Sequence, residues 1–141
     1  MKSKIYGALA MLAAALIVSV PFIQAQSRVQ SDVPFAFSLQ GKAMPAGNYE
    51  IIALSDQAIE VRNLDTQRAQ FLLKPMTVQS SKDENPKLVF HKYGDQYFLS
   101  QIWNGGSHYG IAFAESNREK EVNMAGNGAA NAPETVIVAM K

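Results

Sequence analysis

The sequence predicts an all-β protein, a small antiparallel β-sandwich or rolled β-barrel of about seven strands, with one short helix near the C-terminal end. Three observations carry this expectation. Aromatic and β-branched residues recur in short runs with period-two alternation. Clusters of Gly, Pro, Asn, Asp and Ser separate those runs. One stretch, Lys87 to Trp103 (KLVFHKYGDQYFLSQIW), has the form of a β-hairpin around Gly94-Asp95.

The first residues are not part of that domain. Met1-Lys2-Ser3-Lys4 is basic, Ala8 to Val20 is apolar, and Pro21 precedes Ile23-Gln24-Ala25. This is the pattern of a secretory signal peptide, with an apolar run too short to favour a stable membrane span. Cleavage is expected after Ala25, which leaves residues 26–141 as a single β-domain. The expected location is therefore periplasmic or extracellular, with membrane contact only through the leader before cleavage.

Loss of Lys2 and Lys4 takes the formal charge from +1 to −1. A nearly neutral chain without a basic stripe is a poor partner for phosphates, so nucleic acid is not expected to bind. The chain has no cysteine. Disulfides, lipid attachment at a cleavage-site cysteine and thiolate metal sites are excluded, and stability must come from an apolar core.

Beyond the leader, Gln26 to Asp32 reads as a polar lead-in that Val29 could extend into strand. In Val33 to Leu39 (VPFAFSL), Val33, Phe35, Phe37 and Leu39 form one apolar face, with Pro34 at a strand start or edge. Gln40-Gly41-Lys42 and Pro45-Ala46-Gly47 make turns. Strands follow over Tyr49 to Leu54, Gln57 to Arg62 and Gln67 to Lys74, the last with Phe71, Leu72 and Leu73 consecutive before Pro75. Thr77 to Gln79 reads as a brief strand and Ser80 to Pro86 as a solvated loop.

In the central hairpin, Gly94 supplies the positive φ of a type II′ turn, so Tyr93 should face Gln96, Phe90 should face Leu99 and Leu88 should face Gln101. Strict alternation then puts Leu88, Phe90, Tyr97, Leu99 and Trp103 on the core side. Lys87, Val89, His91, Phe98, Ser100 and Ile102 take the other side. Asn104 to Gly110 reads as a flexible exposed connection. Ser116-Asn117-Arg118-Glu119 has the form of a capping box and predicts a helix to about Met124. Gly126-Asn127-Gly128 stops it, Ala125 to Pro133 reads as a small-residue linker, and Glu134 to Met140 is the closing strand.

Val33-Pro34-Phe35 with Phe37, the Pro45-Ala46-Gly47 turn before Tyr49, Lys87 to Leu99 and Ser116 to Glu121 together resemble a group of small exported bacterial β-proteins. The similarity covers most of the chain after the leader, and LVFHKYGDQYFL is its most specific part. The resemblance implies export and a compact β-fold, and it supplies no activity, cofactor or catalytic residue. The GGSHYGIAF segment departs from the pattern.

No motif specifies a reaction. His91 and His108 are the only imidazoles. No Ser-centred elbow, phosphate loop, His-Glu-x-x-His helix or dinucleotide fingerprint accompanies them. No metal and no cofactor are expected. The loop with binding chemistry is Trp103 to Tyr109: the flat rings of Trp103 and Tyr109 can stack on a sugar, while Asn104 and His108 offer hydrogen bonds. The favoured reading is a non-catalytic exported domain that binds an envelope or extracellular partner, glycan or protein. The alternative is a carrier of an apolar small molecule in a barrel lumen, and an enzyme ranks third.

Overall fold

The computed structural model describes residues 28–73, 75–126 and 132–141. The expected leader with its expected cleavage point, Lys74, and the turn and linker positions 127–131 lie outside them. The elements in chain order are β1 (Arg28–Val33), β2 (Phe37–Leu39), β3 (Lys42–Met44), β4 (Gly47–Ser55), β5 (Ala58–Asn63) and β6 (Ala69–Leu73). There follow β7 (Met76–Glu84), β8 (Lys87–Tyr93), β9 (Gln96–Trp103), β10 (Ser107–Ala112), α1 (Asn117–Ala125) and β11 (Glu134–Ala139).

The strands form two sheets and no closed barrel, which makes the fold a small β-sandwich. One sheet has the order β1-β4-β5-β6 and the other β11-β8-β9-β10-β7. The β2-β3 hairpin joins the second sheet where Ser38 of β2 pairs in parallel with Phe98 of β9. Along one side the sheets are sewn together. Gln30 and Lys141 exchange backbone hydrogen bonds of 3.0 and 2.8 Å, and the Ser31 hydroxyl donates to the Ala139 carbonyl. On the opposite side β6 and β7 end their sheets, with ladders to β5 and β10 respectively.

The described residues hold eleven strands, more than the expected number, for three physical reasons. Val33 to Leu39 is not one strand. Pro34 has no N–H for a ladder, and the chain leaves the first sheet after Val33 and enters the second at Phe37. Phe35 at this corner still points inward. Residues 28–32 are strand rather than lead-in, since Val29, Ser31 and Val33 alternate into the core. Finally, β7 runs through Glu84 and β10 begins at Ser107, so much of the expected SSKDENP loop and the His108-Tyr109 part of the expected connection are paired strand. Strand β7 holds no fully buried residue on either face, so its polar sequence gives no period-two signal.

The core between the sheets is aromatic. Phe90 is fully buried, with the rings of Phe35 and Phe37 edge-on to it at 5.0 and 5.2 Å. Tyr97 stacks on Phe35 at 3.8 Å, and Phe37 meets Tyr49 at 5.2 Å. Burial raises the Tyr49 phenol pKa, and its hydroxyl donates to the Pro45 carbonyl.

The hairpin begins as expected. Gly94 has φ 60°, Tyr93 pairs with Gln96 and Phe90 with Leu99. A β-bulge then intervenes, because Val89 pairs with Gln101 and leaves Ser100 as the extra residue. Leu88 therefore faces Ile102, not Gln101. Ile102 joins the core cluster, and Trp103, expected inside, turns to the outer face with Val89 and Phe98.

Candidate functional site

The four residues expected to bind are distributed as follows. Trp103 is buried, though not in the inter-sheet core. Its indole N–H donates to Gln101 at 2.9 Å, and the Lys87 ammonium stands 5.7 Å from its ring centroid. Lys87 is itself held by Glu84 at 2.7 Å; the hydrogen bond from Lys87, then that from Ser80, keeps the Glu84 carboxyl below its usual pKa. On the neighbouring strand Gly110 lies flat against the indole, since a Cβ there would come within 2.6 Å of it. The indole faces are thus occupied by the chain's own groups. The Asn104 carbonyl oxygen is buried without a hydrogen-bond partner among the described residues. His108 is half-exposed and faces Asp83 at 3.4 Å, and Tyr109, on β10, is 57% exposed. Only Tyr109 and His108 of the four offer surface to a partner.

A second polar constellation lies where α1 covers the outer face of the central hairpin. The helix starts as its sequence dictates, with Ser116 at the N-cap accepting from the Glu119 amide at 3.2 Å. The return half of the expected capping box is replaced. The Glu119 carboxylate instead reaches the hairpin, where Oε1 lies 2.8 Å from His91 Nδ1 and accepts from the Tyr93 hydroxyl at 3.1 Å. Glu119 is the helix's one buried residue, at 5% exposure, and Met124 points to solvent. The helix therefore docks by a carboxylate and not by an apolar stripe. Glu115, just before the cap, brings a second carboxylate within 4.8 Å of the His91 and Glu119 ligand atoms. Composition conceals this site, because NREKEV reads as a solvated face. The available signal is that an imidazole and a phenol at alternate positions, His91 and Tyr93, line the same outer face of the hairpin.

Tyr93 carries a measurable consequence. Burial first, and then the charge of Glu119, its hydrogen bond and the charge of Glu115, push its phenol pKa up. The folded state thus holds the proton more tightly than the unfolded chain does. The corresponding stability is fully present below about pH 10, the ordinary phenol value, and is lost as pH rises above it. Urea midpoints measured across that range should fall with pH, and Tyr93→Phe should flatten part of the fall. Tyr49, raised by burial, and Lys92, raised by its hydrogen bond to Glu134, contribute to the remainder.

A third feature lies on the open side of the sandwich. Phe71, Leu73 and Met76 are 58%, 76% and 52% exposed. They border a cleft of about 350 Å³ that Gln40, Leu72, Pro75 and Phe113 also line. Of the consecutive run Phe71-Leu72-Leu73, only Leu72 is buried. Strand β6 carries no charged residue, whereas the far half of β7 carries Lys82, Asp83 and Glu84.

Neither a protein-family model, nor a curated protein, nor a solved structure matches the chain.

Proposed function

We propose that the chain is a non-catalytic binding domain of the cell envelope or extracellular space, and that it takes an extended segment of another polypeptide along the β6 edge. The observation that carries this reading is the exposed trio Phe71, Leu73 and Met76 beside a strand edge with a ladder on one side only. An unpaired edge offers a row of N–H and C=O groups, and soluble proteins ordinarily blunt such edges with charge, proline or a covering loop. Here the uncharged β6 contrasts with the charged far half of β7. Main-chain pairing supplies affinity in strand addition, and alternate apolar side chains supply selectivity. The leader pattern and the resemblance to small exported β-proteins support the location. Both imidazoles face carboxylates rather than a nucleophile, which favours binding over catalysis.

The carrier reading is set aside because the space it requires is filled by Phe35, Phe37, Tyr49 and Phe90 in ring contact. A glycan or protein at the outer end of β10 remains a second reading, favoured by the exposed ring of Tyr109.

The test is cross-linking of the leaderless protein to envelope and secreted fractions, with two variants run beside it. Phe71→Lys/Leu73→Lys should abolish the captured species while changing stability by no more than about 1 kcal/mol, as expected of two exposed positions. His108→Ala/Tyr109→Ala should leave capture intact. The reverse pattern would transfer the site to β10. Loss of a self-complex in the β6 variant would identify the partner as a second copy.

A further inference from the structure

The constellation under α1 gathers two carboxylates around one imidazole. Glu119 is a buried carboxylate, Glu115 stands beside it, and His91 is the one imidazole in the group. The N-terminus of the helix offsets part of one negative charge. The neighbouring basic side chains are engaged elsewhere: Arg118 reaches Gln96 and Glu121, and Lys92 reaches Glu134. Two carboxylates and an imidazole nitrogen converge there from a strand, a loop and a helix.

The geometry points to a binding site for a divalent transition-metal cation of the zinc class, ligated by His91 Nδ1 and one carboxylate oxygen each from Glu115 and Glu119. The donor set of one imidazole and two carboxylates suits that class, and three protein ligands leave a fourth position for water or an exogenous group. Donors bound to one cation at about 2.0–2.2 Å stand roughly 3.4 Å apart. The ligand atoms now lie within 4.8 Å of one another, so the widest-spaced of them must close by up to about 1.4 Å. Glu115 is exposed and supplies that freedom, whereas Glu119 and His91, now in direct hydrogen bond at 2.8 Å, must part by about 0.6 Å to admit the ion. Bound through Nδ1, the neutral imidazole carries its N–H on Nε2. Tyr93 keeps its hydrogen bond to Glu119 and orients that carboxylate, the usual task of a group behind a ligand. The metal would staple α1 to β8 at Glu119, the one buried residue of the helix.

The experiment is titration of the leaderless, chelator-treated protein with ZnCl2, followed by calorimetry and by thermal unfolding. One equivalent should bind, and the unfolding temperature should rise. Glu115→Gln, at an exposed position that the fold does not need, should weaken binding by at least about 100-fold, the upper end of what loss of a supporting group alone costs. His108→Ala removes the separate His108–Asp83 pair and should change nothing. Absence of saturable binding, or equal affinity in wild type and Glu115→Gln, would overturn the assignment. Loss of binding in His108→Ala would move the metal to that other pair and overturn it equally.

Discussion

Phe90→Ala should destabilise the fold by about 3 to 5 kcal/mol, the range for emptying a buried aromatic site. The ring is fully buried and makes edge contacts with both Phe35 and Phe37, which lie on the segment that crosses between the sheets. Its loss therefore removes the common neighbour of the corner at Phe35 and of the β2-β3 hairpin. Lys92 is two residues further along the same face and serves as the control. Its ammonium lies 3.4 Å from Glu134 and 5.8 Å from the Tyr97 ring, at the solvent end of the hairpin. Lys92→Ala should leave the urea midpoint nearly unchanged. Equal losses in the two variants would mean that Phe90 is not the centre of the core.

Gly110→Ala should cost about 1 to 3 kcal/mol, the usual penalty for forcing a methyl group into an occupied space. A Cβ at this position would sit 2.6 to 2.8 Å from three atoms of the Trp103 ring. The indole cannot retreat freely, because Lys87 stands over it and Gln101 holds its N–H. Trp103 is the sole tryptophan, so its emission reports the displacement directly. A red shift together with a lowered melting temperature is expected, and unchanged emission with unchanged stability would show that the strands separate without strain. Gly106, where an added Cβ would meet no atom within 4 Å, has positive φ and tests backbone conformation alone.

Most of the architecture is legible from period and turn chemistry. The apolar faces of β4, β5, β8 and β11, the type II′ turn at Gly94 and the Ser116 cap all follow from local rules, and local rules suffice where one face is buried. They fail in three places with a shared cause. Strands β7 and β10 lie at or near an edge and gain their order from each other, so their own side chains carry little alternation. The Ser100 bulge shifts every residue beyond it by one face, and no composition signal distinguishes a bulged Ser from a regular one. The partners of Glu119 lie on β8, 26 and 28 residues earlier in the chain. A sequence that satisfies a helix cap locally gives no hint that the same carboxylate has a distant second commitment. Of the expected binding residues, Tyr109 and His108 are accessible. Trp103 is roofed because the bulge turns it toward Lys87 and Gly110.

The seam between β1 and the tail beyond β11 governs the order in which the domain can form. Ser31 and Ala139 are 108 residues apart in the chain, and β11 also supplies the outer neighbour of β8. Until the last residues arrive, one edge of each sheet stays unpaired, and both edges hold buried valines or leucines. Folding dominated by such distant pairings falls in the slow range, milliseconds to seconds. A nascent chain delivered from its N-terminal end thus remains open, and vulnerable to pairing with other chains, until residues 134–141 have joined it.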